Sequence, residues 1–132
     1  MGSRKLLAPT PSELRILQAL WDMGPATVEE IIHHSVFSFP PNYKTTQTIL
    51  RIMEAKRLVR HSKRGRGFLF EPRVTNEEVS RHSVRMVLER NFHGSPAKLL
   101  VNLLDSGPVD PAELEELEEL IREYRKRKED SQ

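Results

Sequence analysis

Apolar residues recur at every third or fourth position through most of the chain, with capping and breaking residues between the runs, a pattern that predicts a mainly helical protein. Behind Thr10-Pro11-Ser12-Glu13, where Thr10 caps, Pro11 suits the first helical position and Glu13 closes a capping box, Leu14, Leu17, Leu20 and Trp21 form one apolar face. Met23-Gly24-Pro25 ends that helix. Thr27-Val28-Glu29-Glu30 repeats the box ahead of a short helix with Val28, Ile31 and Ile32 as its buried stripe, ended by His33-His34. Ser35 to Tyr43 contains Pro40-Pro41 and reads as a loop whose Val36, Phe37 and Phe39 tuck into the core.

A third helix is predicted from about Tyr43 to Lys56, with Ile49, Leu50, Met53 and Thr46 on its inner side. At 100° per residue its outer face is Lys44, Thr48, Arg51 and Ala55, with Thr45 and Gln47 on the flanks. Leu58 to Ser62 and Phe68 to Glu71 are short β-like runs joined by Lys63-Arg64-Gly65-Arg66-Gly67, a hairpin signal with a basic, flexible tip, and Pro72 closes the second run. Three helices followed by a hairpin is the order of a winged helix-turn-helix domain, with the hairpin as the wing.

The remainder is helical again. Thr75-Asn76-Glu77-Glu78 opens a helix marked by Val79, Met86 and Val87 and ending near Asn91-Phe92-His93-Gly94. Ser95-Pro96 opens another, striped by Leu99, Leu100, Leu103 and Leu104; Asp110-Pro111-Ala112-Glu113 opens the last, striped by Leu114, Leu117, Leu120, Ile121 and Tyr124. Helices this short cannot bury such stripes against each other alone, so a partner subunit covers them or they fold back on the first 72 residues as ordinary core. The segment Arg125 to Asp130 reads as a solvated, fraying helix end. The fold class is thus mainly α with a small β-hairpin: a winged helix-turn-helix domain over 9–73 and a helical dimerisation region over 74–128.

Charge sharpens this division. The formal net charge is +2, but residues 1–73 hold 12 Lys/Arg against 6 Asp/Glu while residues 74–132 hold 9 against 13. Residues 42–73 alone carry nine basic side chains against Glu54 and Glu71, which is either a polyanion footprint or a solvated basic surface. Lys44-Thr45-Thr46-Gln47-Thr48 at a helix start is modest evidence alone. Followed by an Arg-rich hairpin it points to DNA, because Gln pairs with adenine, Thr methyls touch thymine methyls and Lys44 reaches guanine or phosphate. The DNA-binding set is Lys44, Thr45, Gln47, Thr48, Arg51, Arg60, Lys63, Arg64 and Arg66.

Other chemistries find little support. Without cysteine there is no disulfide framework, thiolate metal site or cysteine nucleophile, and a reducing cytoplasm is the default compartment. No apolar run is long enough for a membrane span, and Met1-Gly2-Ser3-Arg4-Lys5 leads into no signal-peptide core, with Met1 to Ser3 read as a cloning remnant. His33, His34, His61, His82 and His93 show no metal-ligand spacing on one helix, Gly65-Arg66-Gly67 lies between strands and is not a nucleotide loop, and the carboxylates after Asp110 solvate a leucine-striped helix. The reading is therefore no enzyme, no cofactor and no metal.

Glu13-Leu14-Arg15-Ile16-Leu17 with Leu20-Trp21, Lys44-Thr45-Thr46-Gln47-Thr48-Ile49-Leu50, Gly65-Arg66-Gly67-Phe68 and Pro72 stand in an order and spacing that resembles the penicillinase-repressor family of bacterial winged-helix regulators. The likeness runs from about Thr10 to Tyr124. It implies a homodimeric repressor whose amino-terminal domains bind a palindromic double-stranded DNA operator and whose carboxy-terminal helices intertwine. Three departures stand out. Arg57 occupies the position where the family usually places Gly after the recognition helix; the cysteines of the copper-responsive branch are missing; and the Asn-Phe bond cleaved in the β-lactam-responsive branch, where a membrane-sensor pathway supplies the protease, corresponds here to Asn102-Leu103. The rival reading is a winged-helix protein-protein interaction module, which would more often show apolar or acidic residues where this chain has Lys44, Thr48, Arg51, Arg64 and Arg66.

Overall fold

The computed structural model describes residues 8–131; Met1 to Ser3 lie outside them. Along the chain come α1 (Pro11–Met23), α2 (Val28–Ile32), α3 (Tyr43–Ala55), β1 (Val59–Arg64), β2 (Gly67–Pro72), α4 (Asn76–Phe92), α5 (Pro96–Ser106) and α6 (Pro111–Asp130). Contacts divide it into two compact units, the first ending at Met86 and the second beginning at Val87. This division falls inside α4, later than the boundary expected after Arg73. The reason is that Val74 and Val79 are buried with the first unit's core and the Trp21 indole Nε1–H donates to the Val74 carbonyl at 2.9 Å.

Local chemistry sets the helix starts. Both early capping boxes form as spaced: the Thr10 and Thr27 hydroxyls accept from the backbone N–H of Glu13 and Glu30, whose carboxylates accept from the threonine N–H groups in return. The third box forms likewise between Thr75 and Glu78. Helix α3 is capped by Asn42, whose Oδ1 accepts from Thr45 N–H at 3.0 Å, a cap the reading of the threonine-rich start passed over although Asn after Pro-Pro signals it.

Leu17, Leu20, Ile31, Leu50, Met53, Leu58 and Val59 are fully buried, so α1, α2, α3 and the base of the hairpin close around one core. Each such side chain contributes roughly 1.5–3 kcal/mol by leaving water. Phe39 departs from expectation: it is 86 % exposed, while Val36 and Phe37 pack against the core as predicted. It stands directly before Pro40-Pro41, which hold the backbone extended and carry that side chain away from the interior.

The two strands are antiparallel, in register from Val59 opposite Pro72 to Arg64 opposite Gly67, so the ladder runs further toward the tip than predicted and only Gly65 and Arg66 make the turn. Gly65 has φ +61°, the left-handed conformation a tight hairpin turn requires. A short bridge joins Ala26 to Phe70, with N–H···O bonds of 3.0 and 2.8 Å, and ties β2 to the residue leading into α2.

Within the second unit, α5 starts at a Ser95 cap and α6 at an Asp110 cap, each with proline in the first turn. Neither helix has a buried residue. Along α4 only Val79 is buried, so the stripe expected from Val79, Met86 and Val87 is not a continuous core face.

Candidate nucleic-acid interface

Helix α3 turns Thr46, Leu50 and Met53 inward, which leaves Lys44, Thr45, Gln47, Thr48 and Arg51 exposed on its other side. The Thr46 hydroxyl donates to the Asn42 carbonyl at 2.9 Å, so this threonine belongs to the scaffold. The Thr48 hydroxyl donates to the Lys44 carbonyl at 3.1 Å, so its proton is used internally and its methyl and lone pairs remain for a partner. Lys44, Gln47, Arg51, Lys63 and Arg66 make no side-chain hydrogen bond or ion pair among the described residues.

The hairpin's bases are not equivalent. Residues two apart on a strand share a face, so Arg60 and Arg64 lie on one side of β1 and His61 and Lys63 on the other. Arg60 is paired with Glu71, its partner in the cross-strand register, and Lys56 is held by buried Glu13. Of the basic residues counted in the segment, these two have carboxylates bound already, and sequence spacing could not show it.

Between α3 and the hairpin lies a cleft of about 340 Å³ that brings Gln47, Arg51 and Arg66 together with Tyr43, Phe68 and the Glu54–His61 pair. Glu54 and His61 were absent from the predicted set. Glu30, in the first turn of α2, has its carboxyl held below the usual range by the Thr27 backbone N–H first and the Thr27 hydroxyl next, with Arg64 adding a smaller electrostatic pull.

The stripe residues of the second unit lie uncovered. Leu103, Leu104, Leu114, Leu120, Ile121 and Tyr124 are exposed, and Leu99, Leu100 and Leu117 are partly so. The Arg127 guanidinium lies 4.2 Å from the centre of the Tyr124 ring. Asn102 and Leu103 are both exposed in α5, and the carbonyl of the bond between them accepts from the Ser106 hydroxyl at 2.6 Å.

Three helices, the third with one face exposed, followed by a basic two-stranded hairpin, define a winged-helix protein. Residues 9–123 match the family model described as penicillinase repressor, and the chain belongs to that family, one of transcriptional repressors rather than enzymes. It is similar to the penicillinase repressor of Bacillus licheniformis, 23% identical over 125 residues that cover 95% of this chain and 98% of that one. Among solved structures it is similar to the monomeric form of Bacillus licheniformis BlaI in complex with the blaP half-operator, at 24% identity over 56% of this chain and 90% of that one, with a TM-score of 0.47. It is also similar to Bordetella bronchiseptica BpsR, whose DNA binding is regulated by 6-hydroxynicotinic acid, at 19% identity over 89% and 76% of the two chains, with a TM-score of 0.43.

Proposed function

We propose that this chain is a DNA-binding transcriptional repressor that contacts a duplex operator through α3 and the hairpin and acts as a homodimer on a palindromic site in the cytoplasm. The observation that carries the reading is the set Lys44, Gln47, Arg51 and Arg66, exposed and unpaired on one helix face and the adjoining hairpin turn, in a chain of the penicillinase repressor family. Unpaired cations give up no internal contact when they meet phosphates, so their full charge is available for counterion release. Phosphate contacts supply affinity, and Thr45, Gln47 and Thr48 supply sequence preference.

The homodimer is supported by α5 and α6, whose leucine stripes are unburied in the single chain. A second copy of the same stripes is the cover that two-fold symmetry provides, and it matches the symmetry of a palindrome. Release from DNA is assigned to proteolysis at Asn102–Leu103 by a protease of a membrane-sensor pathway. The bond is exposed, and cutting it separates Leu114 to Tyr124 from the amino-terminal part of the chain. The protease has to open the turn closed by Ser106 before it reaches the carbonyl.

The test measures binding of the full chain to the duplex upstream of its own gene and to a random duplex, by fluorescence anisotropy across a salt titration, alongside sedimentation. Preference for the upstream duplex by a dimer is expected; absence of DNA binding, or a monomer at micromolar concentration, overturns the corresponding part. A chain truncated after Asn102 should lose about 10²-fold in operator affinity, because two half-sites no longer act at high effective concentration. Undiminished affinity removes cleavage there as the means of release.

A further inference from the structure

Two carboxylates are set into the basic segment, Glu54 and Glu71, and each faces a base. Glu71 faces Arg60, whose charge is permanent. Glu54 faces His61, whose charge is not. His61 Nδ1 lies 2.7 and 2.6 Å from the two carboxylate oxygens of Glu54, so Nδ1 carries a hydrogen in either charge state of the ring. Nε2 makes no hydrogen bond among the described residues. With Nε2 bare the pair carries one negative charge; with a proton there it carries none. The ring is packed edge to face against Phe68, at 4.9 Å and 80°, and lies 5.9 Å from Phe70, so the imidazole of this β1 residue sits between Glu54 of α3 and the two phenylalanines of β2.

The pair lines the same cleft as Gln47, Arg51 and Arg66. The remaining titratable groups there are Tyr43 of α3 and Glu29 of α2, the latter 3.7 Å from His33 Nδ1.

We propose that His61 is the proton-operated counter-charge of Glu54 on the DNA-facing surface, so that binding a duplex loads a proton from solvent onto Nε2. The inference rests on the repressor reading. Phosphates brought to this cleft favour the protonated imidazole over the neutral one, so the bound state holds the proton more tightly than the free state. By linkage, DNA affinity falls as pH rises and the proton on Nε2 is lost. A single negative charge within about a Debye length of several phosphates corresponds to about 3- to 10-fold in affinity per protomer. His61 and Glu54 are positioning and charge-setting residues, since the bases are read by others.

The experiment uses the full-length chain and two fluorescent duplexes, one enriched by the chain from a randomised pool and one of random sequence, titrated from pH 5.5 to 8.5 at constant ionic strength. His61→Gln keeps the negative charge at every pH and should bind at acid pH as weakly as the wild type does at alkaline pH. The double variant His61→Gln with Glu54→Gln is neutral at every pH and should recover the wild-type acid affinity while staying flat. A purely structural clasp predicts the opposite, a double variant no better than His61→Gln; that result, or a wild-type profile parallel to that of His61→Gln, overturns the proposal. Melting curves confirm that each variant is folded. Failure of the wild type to bind either duplex overturns the repressor reading itself, and this inference with it.

Discussion

Lys56 Nζ lies 3.0 and 2.9 Å from the two carboxylate oxygens of Glu13, joining the residue that ends α3 to the first turn of α1, 43 residues earlier. Glu13 is buried, and its Oε1 also accepts from Thr10 N–H at 2.9 Å. One carboxylate thus closes a capping box and anchors the end of α3. Lys56→Ala strands this carboxylate away from water and should cost about 2–3 kcal/mol in chemical denaturation. Adding Glu13→Gln, which preserves the box, should recover most of the loss; no recovery would mean that the lysine stem's packing matters more than its charge.

Arg57 sits at φ +67°, the left-handed conformation that the missing glycine would favour. Its N–H donates to the Glu54 carbonyl at 3.0 Å and Leu58 N–H to the Met53 carbonyl at 2.9 Å, the paired bonds of a Schellman stop. Arg57→Gly should therefore stabilise the protein by about 1 kcal/mol, read as a rise of a few degrees in melting temperature. An unchanged or lowered melting temperature would show that the arginine side chain compensates its own backbone cost.

Base readout and backbone contact separate by variant. Arg64→Ala with Arg66→Ala should weaken all duplexes alike and reduce the salt slope by about one to two units. Gln47→Ala should cost about 1–3 kcal/mol at the preferred sequence and little on random DNA. Equal losses on both duplexes from Gln47→Ala would place Gln47 on the phosphates.

Leu117→Asp with Leu120→Asp puts two charges into the proposed interface, at a cost of several kcal/mol if the stripes are buried there. Sedimentation should show monomer where the wild type is dimer. A double variant that still dimerises would move the interface away from α6.

Because the Glu30 carboxyl is held below its usual range, the folded state binds its proton less readily than the unfolded chain does. Its stabilising contribution is therefore present above the ordinary carboxylate range and is lost as pH falls through the lowered value. Thr27→Ala removes the hydroxyl, the second of the two causes, and leaves the backbone N–H, so part of the shift goes with it. The difference in melting temperature between wild type and Thr27→Ala should shrink on acidification; a constant difference would assign the threonine's effect to something other than this box.

What the sequence by itself determined is what neighbouring residues decide among themselves. Thr10, Thr27 and Thr75 each meet a glutamate three residues on, so the capping boxes are legible without a fold; the apolar spacing of α3 places Thr46 inside and Arg51 outside; and Gly65 marks the hairpin turn. Tertiary structure decided whatever joins residues far apart in the chain. It tied Lys56 to Glu13, Arg60 to Glu71 and His61 to Glu54, giving two of the segment's cations a carboxylate partner and setting a histidine–carboxylate pair beside them. It carried Val74 and Val79 into the first unit and left Phe39 in solvent. Periodicity assigns a side chain to a face of its own element, but partners and burial depend on which elements meet that face, and this is set by the packing of the whole core.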